Sequence, residues 1–254
     1  MRYRYWLTLT LPLFITTAYS AETTSSELEF EQQFEQKFEQ KIEQAIVEFE
    51  QTPREYWSYQ VSRYENEEGD ITQSIERYTP AADIDNPWVL VSANGKVPTA
   101  KQQQKFVKKK RKQAESKGSG GNFSLKLREL INLDELQLVT DEDNLIMSFP
   151  VQLARLGDDA VGKLQGRLTY NQQEQFIEEI MIVNSAEFSP MFSASITDLT
   201  LIFSFIKIDS AVLPYQHKMD MKGRFALFSE IDETSTDTYS DYQYAGKPDK
   251  SLSK

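Results

Sequence analysis

A single histidine, His217, and 39 acidic side chains are the groups that could carry acid–base or metal chemistry, and the 254-residue chain has no cysteine. A thiol nucleophile, a disulfide, a lipid-modified cysteine and a multi-histidine zinc site are therefore excluded within one chain. His217 lies in Leu213-Pro-Tyr-Gln-His-Lys-Met-Asp-Met221. Strand alternation puts it on one face with Leu213, Tyr215, Met219 and Met221. That is the setting of a hydrogen-bonded core histidine, because a general base needs a placed partner. The carboxylate runs Asp141-Glu142-Asp143, Asp158-Asp159 and Glu230 to Glu233 lack the spacing of a calcium loop and read as solvated turns. A spatially paired carboxylate dyad, as in glycoside hydrolysis, stays open, because its separation is not a sequence property. No nucleophile elbow, phosphate loop or dinucleotide fingerprint occurs. The expectation is a protein without a catalytic site, metal or cofactor.

Binding chemistry is better represented. Trp57, Tyr59, Trp88, Met147, Phe149, Phe203, Phe205, Met219, Met221 and Phe225 are large, adaptable groups on segments with strand patterning. They are either ordinary core or the lining of an apolar cavity. A second feature is basic. Lys101, Lys105, Lys108, Lys109, Lys110, Arg111, Lys112 and Lys117 face one acid, Glu115, over a single short segment. Such a run reads as a solvated helix face. The alternative is a patch for anionic lipid headgroups at Lys101, Lys105, Lys108, Lys109 and Lys112. The chain as a whole has net charge −11, which disfavours general nucleic-acid binding.

The elements that must position these residues follow from patterning. Arg2 and Arg4, an uncharged apolar run from Trp6 to Thr17, and Ala18-Tyr19-Ser20 form a secretory signal pattern with cleavage expected near Ser20. The run is too short to span a bilayer. Absence of cysteine in an exported chain fits a periplasm. Ser26-Glu27-Leu28-Glu29 reads as a capping box. A four-residue repeat follows, with Phe30, Phe34, Phe38 and Ile42 each preceding Glu-Gln. On a helix of 3.6 residues per turn, a period of four drifts by about 40° per repeat. Phe38, Ile42, Ala45, Ile46 and Phe49 therefore group on one face, and Phe30 falls away from it. Thr52-Pro53 ends the helix.

From Trp57 the pattern alternates. Trp57–Ser62 and Ile71–Tyr78 predict a hairpin around Glu67-Glu68-Gly69-Asp70. Trp88–Ser92 predicts a strand closed by Asn94-Gly95. Pro98 opens the lysine-rich helix, and Gly118-Ser-Gly-Gly121 reads as a linker. Its few apolar residues, Phe106, Val107 and Ala114, predict that this helix stays outside the core. Beyond Asn122 a short helix or turn and an antiparallel meander are expected. The strands are Glu135–Thr140, Leu145–Leu153, Lys163–Tyr170, Gln175–Val183, Leu199–Ile208, Leu213–Met221 and Phe225–Ile231. Turns are expected at Ser189-Pro190, Asp209-Ser210 and Lys222-Gly223. Leu199–Ile208, apolar on both faces, should be covered on both sides. Tyr239–Tyr244 reads as an edge strand. The fold class is α+β: a broad curved antiparallel sheet, or half-barrel, with a long N-terminal helix and an inserted helix packed on it. The domain plan is a signal peptide at 1–20, one domain at 21–245 with a basic insertion at 99–121, and a polar tail at 246–254.

Ile75-Glu76-Arg77-Tyr78-Thr79-Pro80, leading to Pro87-Trp88, together with the element order over 27–244, resembles the periplasmic lipoprotein-carrier (lipoprotein-localisation factor) superfamily, with Arg77 at a matching position. Residues Pro87–Thr99 also look like a segment of uncharacterised exported bacterial proteins. The lysine-rich insertion departs from the superfamily pattern. The resemblance implies a half-barrel that holds acyl chains under helices. The expected function is a periplasmic carrier or binding protein for a lipid, a lipidated protein or another apolar ligand. An envelope sensor or interaction module on the same fold is the alternative, and a carboxylate-dependent enzyme on envelope polymers a third.

Overall fold

A computed structural model describes residues 25–80, 86–115, 126–140, 144–153, 156–226 and 229–246. The signal pattern, the Gly118–Gly121 linker, the Asp141–Asp143 turn and most of the polar tail lie outside the described residues. The chain divides into two compact units, Met1–Lys37 and Phe38–Lys254. The described residues of the first are the opening turns of helix α1, Ser25–Gln51. The rest of α1 belongs to the second unit. There the expected stripe is buried, with Ile42 and Ile46 at 0% exposure and Phe38, Ala45 and Phe49 close behind.

All the strands belong to the second unit and form one open, curved antiparallel sheet. They are β1 (Trp57–Glu67), β2 (Asp70–Tyr78), β3 (Trp88–Ala93), β4 (Gln137–Thr140), β5 (Asn144–Pro150), β6 (Leu164–Asn171), β7 (Phe176–Asn184), β8 (Phe188–Met191), β9 (Ala194–Ile208), β10 (Ala211–Phe225) and β11 (Ser229–Tyr244). Helix α2 (Ala100–Glu115) follows β3, and the one-turn α3 (Leu127–Leu130) precedes β4. The order across the sheet is β3-β2-β1-β11-β10-β9-β7-β6-β5-β4, with β8 beside β9. The β1–β2 hairpin turns at Glu68-Gly69, both with positive φ, which matches the right-handed twist of its strands.

α1 is stitched to this sheet at its C-terminal end. Phe49 meets Phe205 of β9 edge-on at 4.9 Å between ring centroids. The Thr52 hydroxyl donates to the Glu48 carbonyl at 2.9 Å and accepts the Val212 N–H at 3.2 Å. One side chain thus closes a helix end and pins it to β10. The β5 face carries Leu145, Met147 and Phe149, all buried, and Gly166 opposite leaves the space that the Phe149 ring fills.

Five expectations about the sheet need correction. Phe225–Ile231 is not one strand: β10 ends at Phe225 and β11 begins at Ser229. Lys222-Gly223 is not a turn: β10 runs through it to Phe225. Gly223 sits at a bulge where a Cβ would strike the Ser195 backbone, so the glycine marks close strand approach. Ser189-Pro190 lies within β8. Tyr239–Tyr244 is the end of a central strand between β1 and β10, not an edge. Its polarity misled because the face it helps to build is itself polar. β9 is central but covered on one face only: Leu199, Phe203 and Phe205 are buried, whereas Ile206 on the other face is 38% exposed.

Candidate functional site

Register carries one row of side chains across the sheet: Met147, Leu168, Ile180, Phe203, His217, Asp237 and Arg63 are successive cross-strand partners from β5 to β1. The row is apolar as far as Phe203 and polar beyond it. One half of the sheet face is therefore packed core. The other half, on β10, β11, β1, β2 and β3, is built from charges and aromatic rings.

The charged part is a closed network. Arg63 Nε lies 3.0 Å from Glu76 Oε1, and Arg63 Nη1 donates to Asp237 Oδ2. Lys110 Nζ, reaching in from α2, lies 2.7 Å from Glu76 Oε2. The Glu76 side chain is 7% exposed and that of Lys110 14%. Lys110 Nζ also stands 4.0 Å from the centroid of the Trp88 ring, a cation–π arrangement. Burial lowers the Lys110 ammonium below its ordinary range, against the pull of Glu76. Burial raises the Asp237 carboxyl, even beside Arg63. Burial opposes the Arg63 charge, but Asp237 and Glu76 outweigh it and hold the guanidinium above its usual value.

Beside the charges runs a chain of rings. Trp57 meets Tyr242 at 6.3 Å, Tyr242 meets Tyr59 at 5.5 Å, and Tyr59 meets Tyr78 at 5.2 Å and Trp88 at 5.8 Å. Tyr242 donates its hydroxyl hydrogen to the Pro214 carbonyl at 2.6 Å. Burial pushes the phenols of Tyr59, Tyr239 and Tyr242 far up, so they are neutral. Trp57 also forms a wall of a cleft of about 450 Å³ at the end of α1, shared with Thr52, Pro53, Ile208, Ala211 and Tyr244. Two acids reach its rim. Glu48 lies 3.6 Å from Lys207, and Asp209 is exposed.

The ten binding residues expected from sequence separate cleanly. Trp57, Tyr59 and Trp88 belong to the ring chain. Met147, Phe149, Phe203 and Phe205 are buried core. Met219 and Met221 are half-buried along β10, and Phe225, 46% exposed, lies at the far end of that strand. Arg63, Glu76, Tyr78, Lys110, Asp237, Tyr239 and Tyr242 are the members that sequence reasoning missed. The signal was present in part: once Glu68-Gly69 sets the hairpin, Glu76 must share a face with Val61, its cross-strand partner.

α2 differs from the expectation of an undocked helix. Phe106 and Val107 are half-buried, Gln103 Oε1 accepts the Leu90 N–H at 3.2 Å, and Lys110 enters the network. Ion pairing and stacking supply the anchoring that its apolar area lacks. Lys101, Lys105, Lys108, Lys109 and Lys112 are exposed.

His217 sits against the Phe203 ring at 5.2 Å, and its Nδ1 lies 3.3 Å from the Tyr239 hydroxyl. Burial, with the nearby Arg63 charge, lowers its pKa from 6.5 to about 4. The unfolded ring takes up a proton near pH 6.5, and the folded one resists until about pH 4. Its contribution to stability is therefore complete above pH 6.5 and is lost as pH falls toward 4, by roughly 3 kcal/mol in full. Urea unfolding across that window should show a shallower acid decline for His217→Gln than for the parent chain. Parallel curves would mean that the folded imidazole protonates normally.

Among the described residues no group of three or more His, Asp or Glu side chains is arranged to hold a metal ion. No helix among them is long and apolar enough to cross a membrane. No protein-family model matches the chain, and no curated protein matches it at a significant level. Among solved structures, the chain is similar to a DUF1329 family protein from Desulfovibrio piger, at 10% identity over 79% of this chain and 90% of that one, with a TM-score of 0.33.

Proposed function

We propose that this chain is a non-enzymatic binding protein of the periplasm, exported by the signal pattern at its start, that takes up the apolar chain of a lipid or lipidated protein. The observation that carries the reading is the line of aromatic rings from Trp57, at the cleft, through Tyr242 and Tyr59 to Trp88 beneath α2. A cleft of about 450 Å³ falls in the range of small-molecule sites. Its apolar walls at Trp57, Ile208 and Ala211 offer an acyl chain a strip of contact, beside the polar Gln51, Thr52 and Ser210. Burying about ten methylenes contributes about 8 kcal/mol before ordering costs, enough for micromolar binding.

Glu48 is balanced by Lys207, and Asp209 adds negative charge at the mouth. An acyl chain with an uncharged head fits such a mouth better than a free fatty acid. The resemblance of element order to the lipoprotein-carrier superfamily supports the same reading, with the apolar site shifted from the sheet centre to its aromatic half. The centre is occupied by α1.

An uncharged, environment-sensitive acyl probe should bind saturably to the full chain. Trp57→Leu should weaken binding by about tenfold, the effect of losing roughly 1.4 kcal/mol of ring contact. Phe205→Leu, in the filled core, should leave affinity unchanged. Equal losses from both variants would return the site to the sheet centre. No saturable binding by the folded parent protein would remove the carrier reading.

A further inference from the structure

The exposed face of α2 presents one sign of charge. At about 100° per residue, Lys101, Lys105, Lys108, Lys109, Arg111 and Lys112 fall within an arc of about 160°, and all six are exposed. Lys110 projects from the opposite side. With Phe106 and Gln103 it forms the face that docks on Glu76, Trp88 and β3. Glu115 is the only acid in the helix, and none of the six outward cations pairs with an acid among the described residues. The inward contacts hold the helix so that the arc faces away from the sheet.

This concentration occurs in a chain of net charge −11, and loss of Arg2 and Arg4 with the leader makes the remainder more acidic still. The helix is 16 residues long, or about 24 Å of straight cationic ridge. Along its flank runs a cleft of about 870 Å³ bordered by Gln104, Val107, Lys108, Arg111 and Lys112. Asn86, Gln103 and Glu115 complete its lining, and its three cations beside Val107 suit a phosphate headgroup. A ridge of this kind lies tangentially on a plane, so it can meet a bilayer while the acidic bulk of the chain stays away from it. The net negative charge of the chain opposes general nucleic-acid binding.

We infer that the outward face of α2 docks this protein on the surface of an anionic phospholipid bilayer. The docking uses the side of α2 opposite the aromatic rings and does not depend on the ligand reading above. Each basic side chain near such a surface strengthens attachment by about fivefold.

The full chain, freed of its leader, is sedimented with vesicles of equal parts phosphatidylglycerol and phosphatidylcholine, and with phosphatidylcholine alone. The expected result is attachment to the anionic vesicles only, released by added salt as screening shortens the reach of the charges. Replacing Lys105, Lys108, Lys109 and Lys112 with glutamine should weaken attachment by more than a hundredfold with the unfolding transition unchanged. The pair Lys101→Gln and Lys105→Gln should weaken attachment by about 25-fold, half of the fourfold variant's loss in decades. No attachment to the anionic vesicles, attachment that survives the fourfold variant, or tighter binding to duplex DNA than to vesicles at the same salt would each overturn the inference. Acyl-probe binding, measured without vesicles, should be unaffected by these variants, so the two readings can fail separately.

Discussion

Glu76→Ala should lower the unfolding free energy by about 3–5 kcal/mol, the range for breaking a buried ion pair from one side. Among the described residues Glu76 is the one carboxylate that pairs with Lys110, and it is one of two that pair with Arg63. Its removal leaves an ammonium under α2 with only the Trp88 and Phe106 ring faces beside it among the described residues. Arg63 keeps Asp237, so most of the loss should come from Lys110. A second substitution identifies that source: Lys110→Met in the Glu76→Ala background should recover part of the stability, because an apolar group of similar length no longer needs a counter-charge. Urea denaturation of the four combinations forms a double-mutant cycle. A loss below about 1 kcal/mol for Glu76→Ala would put the pair in the class of solvated surface bridges and would contradict its burial.

Phe49→Ala should cost about 3–5 kcal/mol, the usual range for deleting a buried aromatic ring. The ring is 5% exposed, packs edge-on against Phe205 and carries the Arg54 guanidinium 3.7 Å above its centroid. Its loss would open a void between α1 and β9 and leave Arg54 without its stacking surface. Phe205→Leu, which keeps most of the volume, should cost less than about 1.5 kcal/mol. Denaturant midpoints with an unchanged slope would report a pure stability effect. If Phe49→Ala proved nearly neutral, α1 would not be filling the sheet face, and an apolar cavity at the sheet centre would again be the better reading of Phe203 and Phe205.

These two residues show what a reader of the chain could and could not see. Phe49 closes a stripe that four-residue spacing on a 3.6-residue helix already draws, and its burial follows the pattern. Glu76 carries no such mark. It shares a face with Ser74 and Tyr78 on an ordinary hairpin strand, and only the pairing of β1 with both β2 and β11 brings it to Arg63. The misplaced turn at Lys222-Gly223 has the same origin. A glycine after a lysine looks local, whereas its reason is the Ser195 backbone on the neighbouring strand.

Composition, periodicity and turn chemistry were enough to place the helices, most strands, the antiparallel class and the basic segment, because each depends on residues within one or two turns or a single hairpin. They also named Trp57, Tyr59 and Trp88. Tertiary structure decided the rest. It determined which apolar residues are packed beneath α1, which rings line up beside a cleft, and which one lysine of α2 turns inward. Arg63 and Asp237 stand 174 positions apart, and a contact at that separation follows from the register of the whole sheet. Local spacing carries no information about that register until every intervening strand has found its partner.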